Sequence, residues 1–352
     1  MKNTVTPALG LLLFSESSLA ELVRLARLSE DLGYSHFWYT DVRFARECYV
    51  ALAAVALATE KIQIGPGVTD PYSRHPAITA AAIATLDELS NGRAVLGIGI
   101  GGAGFKELGI EKTLPIAAMR ESVEMIKALL RGERVTSQGK VVSVDGGKLS
   151  FKPVRSDIPV YFATHGAQMT RLAGQIADGV LVANVLQPGA FDFYTGKIDE
   201  GIAKAGRQGG TFDVGLRVEA CISDDDEAAL AVMRRRVTSR LMSQYPHWDY
   251  LAELGVSLPE AFIALARDRP QGAEEQAAAI LPRDAVEAMV LAGSPERVAE
   301  QLARALTPRI TQITLRPHAA PGQDVADVVK AFANEVVPRA LALRARSPIQ
   351  AA

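Results

Sequence analysis

Residues 61–102, KIQIGPGVTDPYSRHPAITAAAIATLDELSNGRAVLGIGIGG, constrain the fold more than any other stretch of this 352-residue chain. Ile62 and Ile64 begin a short apolar strand, and Gly65-Pro66-Gly67 stops it because neither residue type sustains regular pairing. Pro76 suits the first turn of a helix, and the run from Ala77 to Leu89 is strongly helix-forming. Asn91-Gly92 closes that helix with the two residue types that best tolerate left-handed backbone. Ala94 to Ile98 is a second apolar run, followed by Gly99, Gly101 and Gly102. Two buried strands joined by a helix make a βαβ unit. Both loops that follow the strands are rich in glycine, so backbone can come close to a flat or phosphorylated ligand.

The same alternation runs through the rest of the chain. Ala8 to Phe14 reads as a strand, and Ser18 with Glu21 forms a capping box for a helix to Leu32. His36 to Tyr39 is a strand ending at Thr40-Asp41, with a helix after it over Ala51 to Ala58. A helix near Met119 to Leu130 precedes a β-hairpin excursion over residues 133–152, marked by alternation and Gly146-Gly147. Val160 to Ala163 and Gly179 to Ala183 are strands around a helix from Gly166 to Ala177. A helix near Phe191 to Ala205, a strand around Val214 to Ile222 and a helix led by Asp224-Asp225-Asp226 follow, the acids lying at its positive end. Residues 243–292 carry no strand signal and read as a helical insertion. Ser294-Pro295-Glu296 then caps a helix to about Leu306, Ile310 to Leu315 is the last strand, and a final helix from Val325 to Leu341 is expected to kink or break at Pro338. About eight strands alternating with helices imply a parallel sheet, either open and doubly wound or closed into a (β/α)8 barrel. Periodicity leaves that choice open.

A hydrophobic content of 48% is enough for a sizeable core, in one large domain or two small ones. The net charge of −2 offers no basic surplus for nucleic acid or an anionic membrane. Arg234-Arg235-Arg236 reads as a solvated helix face. Cys48 and Cys221 have no neighbours at metal-ligand spacing, so no metal site and no disulfide framework is expected. The N-terminus lacks the pattern of a signal peptide, and no apolar run reaches the roughly 18 residues of a membrane span. The expectation is a soluble cytoplasmic protein.

The run GPGVTDPYSRHPAITAAAIATLDELSNGRAVLGIG resembles the bacterial-luciferase-like superfamily, and within it the methylenetetrahydromethanopterin reductase branch, which uses a deazaflavin coenzyme. Further matches at Tyr34 to Asp41 and Val160 to Ala183 extend the resemblance over most of residues 8–220. It implies a single (β/α)8 TIM-barrel domain over residues 1–352, with the site where strands end and loops begin. It implies a pocket-facing carboxylate at Asp41, the alternative being a helix N-cap. It implies a bulge with a non-prolyl cis bond at Gly67-Val68, and a cleft wall at Gly99-Ile100-Gly101. It also implies cofactor contacts from Ala163-Thr164-His165-Gly166, at a helix start where backbone N–H groups attract phosphate.

Asp41 and His165 are the candidate catalytic residues; His165 reads alternatively as an exposed loop residue. His75 is expected to cap a helix or lie in an interface. Arg316 and His318 end the last strand and are weaker candidates, and His36 and His247 have no partner pattern. Arg43, Lys106 and Arg171 are candidate cations for an acidic cofactor tail.

Two positions depart from the family. Val42 replaces a histidine, and Leu12 stands where the reductases carry a glutamate; both argue against the namesake pterin reaction. The motif pattern still implies coenzyme F420 (8-hydroxy-5-deazaflavin) and hydride transfer with a small organic substrate, a preference that the two departures reduce. The alternatives are an FMN-dependent monooxygenase served by a separate flavin reductase, and a cofactor-binding paralogue without catalysis. The alanine-rich helix from Ala77 to Leu89 implies a homodimer.

Overall fold

A computed structural model describes residues 6–187, 189–207 and 211–346. The chain falls into two compact units. One comprises Pro7–Val182 with Thr195–Gly215, and the other is built mainly from Ala183–Tyr194 and the chain from Leu216 onward.

The first unit contains β1 (Ala8–Leu13), α1 (Leu19–Asp31), β2 (His36–Tyr39), α2 (Cys48–Ala58), β3 (Gln63–Pro66), α3 (Pro76–Leu89), β4 (Leu96–Ile98) and α4 (Pro115–Leu130). The hairpin β5 (Val135–Gln138) and β6 (Ser143–Gly147) follows, then β7 (Val160–Thr164), α5 (Ala167–Ile176) and β8 (Gly179–Ala183). β1, β2 and β3 pair in parallel, as do β4, β7 and β8. Isolated parallel bridges, Ile64 with Ala94 and Thr69 with Ile98, join the two sets. Successive strand residues face opposite ways, so one face gathers Leu12, Trp38, Val95, Tyr161 and Leu181 into a buried cluster, with Phe14 packed against it.

Much of the long motif serves this architecture. Asn91 and Gly92 take positive φ, at 55° and 80°. Arg93 then ties the end of α2 to the start of β3: it donates to the carbonyls of Ser90, Ile62, Ala56 and Thr59 and to Thr59 Oγ1, all at 2.8–3.0 Å. Asp87 is fully buried, accepts from the Ala94 N–H and is paired with Arg155. Ser18 caps α1 by accepting from the Glu21 N–H, as the capping box predicts.

α6 (Ala190–Lys204) and β9 (Asp213–Ile222) contribute residues to both units. The second unit continues with α7 (Asp226–Gln244), α8 (Tyr250–Glu253), α9 (Glu260–Asp268), α10 (Ala273–Ile280), α11 (Arg283–Glu287), β10 (Leu291–Gly293), α12 (Pro295–Ala305) and β11 (Gln312–Pro317). α13 (Val325–Ala331) and α14 (Val337–Arg346) close it.

Two expectations need correction here. The stretch 243–292 was expected to be free of strand, yet β10 pairs in parallel with β9, Leu291 opposite Ala220. Three residues are too few to show a period in sequence. Of the kink or break expected at Pro338, the structure shows a local irregularity, and the last helix does not stop there. It widens into one π turn, Phe332–Val336, just ahead of the proline. Proline has no N–H for the carbonyl four residues back, and a wider turn accommodates that loss.

Candidate active site

β2, β3, β4 and β7 belong to one parallel array, so their C-terminal ends share an edge. Along that edge backbone groups bond in sequence: the Gly67 N–H to Tyr39 O at 2.8 Å, Thr69 N–H to Gly97 O at 3.0 Å and Gly99 N–H to Thr69 O at 2.9 Å. The Gly67-Val68 peptide bond is cis. The edge thus gathers Asp41, Gly67, Val68, Gly99, Ile100, Gly101 and the segment Ala163–Gly166.

The glycines on this edge differ in what they do. A Cβ on Gly97 would sit 2.2 Å from Pro66 O, and one on Gly67 would sit 2.8 Å from Trp38 Cβ. A Cβ on Gly99 would meet Val68 Cγ2 at 2.9 Å. These three are required by strand-to-strand approach. Gly101 and Gly166 have nothing within 4 Å of the Cβ position and face open space.

Asp41 is half-buried, and its Oδ2 accepts from Thr69 Oγ1 at 2.7 Å and from Arg74 Nε at 3.4 Å. Arg74 also pairs with Glu47 at 2.7 Å and lies over the Tyr49 ring. The Asp41 carboxylate is therefore an anchored acceptor rather than a helix cap. Thr40 Oγ1 and Trp38 Nε1, both buried nearby on β2 and its end, have no hydrogen-bond partner. Orphaned buried polar atoms at a strand end fit a polar ring bound there.

His165 and Gly166 are exposed, and Thr164 is buried. Thr164 Oγ1 bonds Thr170 Oγ1 at 3.0 Å and Gly166 O at 3.4 Å, which fixes the entry to α5. α5 begins after Gly166 with no side-chain cap. Its first-turn N–H groups are the donors that a phosphate would accept from.

The cations expected around a cofactor tail turn out differently. Arg43 is buried against Asp70 at 2.7 Å, donates to Ala103 O at 2.8 Å and stacks 4.0 Å over Phe105. Its charge is already neutralised, and its role is to hold the glycine loop. Arg171 pairs with Glu200 at 2.6 Å, also away from the role expected of it. Lys106 is exposed. Lys112, which motif reading missed, donates to Ile100 O at 3.3 Å and is a cation on the loop itself. His75 caps α3, accepting from the Ala77 N–H at 3.2 Å. His36 is stacked on Trp38, and burial pushes its pKa down to about 4. Leu12 lies in the apolar cluster, so no carboxylate stands there.

A second polar cluster lies in the other unit. Glu219 on β9 is fully buried. Its Oε2 accepts from Arg236 Nε at 2.8 Å, His318 Nε2 at 3.0 Å and Arg316 at 3.3 Å. Its Oε1 is bonded to Arg240 and Asn184 Nδ2, with Arg217 at 3.5 Å. Burial alone would raise the pKa of Glu219, but Arg240, the His318 hydrogen bond, Arg316 and Arg217 outweigh it and hold the carboxyl well below its usual range. Of these residues, sequence reading named only Arg316 and His318 as candidates. It placed Arg234-Arg235-Arg236 on a solvated face, whereas Arg236 reaches Glu219 and Arg234 bonds Leu281 O.

Among the described residues, no group of three or more His, Cys, Asp or Glu side chains is arranged to hold a metal. No described helix is long and apolar enough to cross a membrane.

A sequence profile of the luciferase-like monooxygenases matches residues 5–312. The chain is also 33% identical over 325 residues to the 5,10-methylenetetrahydromethanopterin reductase of Archaeoglobus fulgidus, covering 91% of this chain and 95% of that protein. The chain belongs to the luciferase-like oxidoreductases. The enzyme of the same name from Methanopyrus kandleri is 31% identical over 346 residues, covering 94% of this chain and 97% of that one. The solved coenzyme F420-dependent tetrahydromethanopterin reductase from Methanopyrus kandleri matches with a TM-score of 0.83 and 29% identity, over 94% of this chain and 99% of that chain. The fold of this luciferase-like oxidoreductase is accordingly the parallel (β/α)8 barrel, not the open doubly wound sheet.

Proposed function

We propose that this luciferase-like oxidoreductase binds coenzyme F420 and transfers hydride to or from a small organic substrate. The observation that carries this reading is its likeness, along nearly the whole chain, to a reductase that depends on F420. When bound, the coenzyme supplies a ring carbon that accepts or releases a hydride. The protein's part is orientation and exclusion of water. Gly67, Val68 and Ala163 would back the ring, with Thr40 Oγ1 and Trp38 Nε1 as the waiting polar atoms. Gly101 and the N–H groups at the start of α5 would hold the phosphate-bearing tail, with Lys112 as the nearby cation.

Asp41, held by Thr69 and Arg74, would orient a donor group of the ligand. His165, an exposed imidazole at the head of α5, would carry the proton that accompanies hydride transfer, since histidine gains and loses a proton near neutral pH. The apolar setting of Leu12 and the valine at position 42 favour a substrate other than the pterin.

The test is titration of the purified apoprotein with F420 and, separately, FMN, followed by absorbance and fluorescence. Saturable F420 binding with weak FMN binding is expected. Tight FMN binding with oxygen-dependent turnover and no F420 binding would replace this reading with that of a flavin monooxygenase.

The assembly proposed is a homodimer. Val50, Leu57, Ile78 and Leu89 on α2 and α3 are exposed, and the buried Tyr49 hydroxyl beside them has no partner. Light scattering is expected to give twice the 37.6 kDa chain mass, and Ile78→Glu to shift it toward one chain. A wild-type monomer at micromolar concentration would refute this assembly.

A further inference from the structure

The Glu219 cluster asks for a ligand. Four guanidinium groups, from Arg217 on β9, Arg236 and Arg240 on α7 and Arg316 on β11, converge on one carboxylate. An ionised carboxylate offers about four lone-pair sites. Those of Glu219 face Arg236, Arg240, Arg316, His318 and Asn184, each within hydrogen-bonding distance. Arg217 is left over. It stands 3.5 Å from Glu219 and donates a long hydrogen bond, 3.4 Å, to Asn184 Oδ1. Its Nε is buried and has no partner.

A buried N–H on a charged group is costly to leave unmade, and guanidinium presents its donors as a planar fork that matches two oxygens of one ligand. The cluster is not sealed from solvent: the side chains of Arg217 and Arg236 keep 17% and 30% exposure, although Arg217 Nε itself is covered. Positive charge concentrated beside a single saturated acid favours an anion over a neutral polar molecule.

We infer that Arg217, supported by Arg236, Arg240, Arg316 and His318 around Glu219, is a binding site for an oxyanion, of the carboxylate or phosphate class, on a small molecule. Arg217 grips two oxygens through Nε and a terminal nitrogen. Glu219 keeps the surrounding arginines from collapsing onto the ligand and sets their spacing. The site goes beyond the coenzyme reading and does not rest on it, because no residue of the strand-end cleft takes part.

The full chain is titrated without coenzyme, using inorganic phosphate in one arm and acetate in the other, by calorimetry at low ionic strength. One saturable site is expected for at least one of the two anions. Saturation by phosphate alone assigns a phosphate ligand, and saturation by acetate assigns a carboxylate; either supports the site. Arg217→Gln is expected to weaken binding about tenfold or more. Arg217→Lys, which keeps the charge but loses the fork, is expected to fall between the two, and it carries the test if the glutamine variant does not fold. The inference is overturned if neither anion saturates the wild-type chain, or if the Arg217 variants bind as tightly as wild type. F420 titration of the same variants is expected to be unchanged, so the two readings fail separately.

Discussion

The strand-end cleft and the Glu219 cluster are two polar sites built in opposite ways. The cleft is made of backbone: glycines, a helix start and a few short side chains at the ends of four strands, in short runs between positions 41 and 166. The cluster is made of long charged side chains drawn from positions 184 to 318. Backbone sites depend on what is missing from a residue, whereas charge clusters depend on partners that neutralise one another. The two should therefore fail differently on mutation.

The largest effect is expected at Glu219. Replacing it with glutamine leaves one buried and three partly buried guanidinium groups facing a neutral amide, and removal of one partner from a buried ion pair costs about 3–5 kcal/mol. Urea unfolding at pH 7 would measure it; a loss under about 1 kcal/mol would mean the arginines re-pair with water. The pH dependence has a definite sign. The folded carboxyl lies well below the ordinary value of 4.5. Its contribution is thus complete above that ordinary value and is lost only as pH falls through the lower, folded one. Wild type should weaken on acidification in that window, and Glu219→Gln should lack that component.

Gly97→Ala tests the backbone side of the contrast. The added Cβ meets a carbonyl oxygen at 2.2 Å, and backbone cannot swing aside as a side chain tip can. Overpacking of this kind costs about 1–3 kcal/mol. A melting temperature equal to wild type would show that β3 and β4 can part without loss.

These differences also explain what was legible beforehand. The βαβ unit, the hairpin, the helix caps at Ser18 and His75 and the strand ends at Asp41 and Gly99 depend on neighbours a few residues apart, and local pattern finds them. The role of Arg43 was misread because its partner Asp70 lies 27 positions away and looks, in sequence, like part of a turn. Arg93 and Asp87 sit inside the recognised motif, yet their structural use emerges only from their hydrogen bonds. Glu219 had no local signal at all. Inside an apolar strand it reads as an exception, and only the fold brings four arginines to it.

Asp41→Asn should separate binding from stability. Asparagine keeps an acceptor for Thr69 but loses the charge facing Arg74, which still has Glu47. Partly exposed pairs of this sort contribute about 0–1 kcal/mol, so the melt should move little. Coenzyme binding or turnover should fall by about tenfold or more if Asp41 orients the ligand. Unchanged kinetics with bound F420 would make Asp41 purely a clasp for Arg74 and Thr69.

The smallest effect on the fold, and the sharpest comparison with Gly97, is expected at Gly101. Gly97 lies within β4 and Gly101 follows it by three residues. A methyl group at Gly101 meets nothing within 4 Å, and its backbone is outside the left-handed range that Gly102 occupies at φ +103°. Alanine there should leave stability within about 0.5 kcal/mol of wild type. It could even gain slightly, because alanine restricts the unfolded chain more than glycine does. The space the methyl group fills is where backbone would approach the coenzyme tail, so F420 affinity should drop while the melting temperature holds. If affinity also holds, Gly101 lies outside the coenzyme's path, and the open space beside it belongs to the substrate or to solvent.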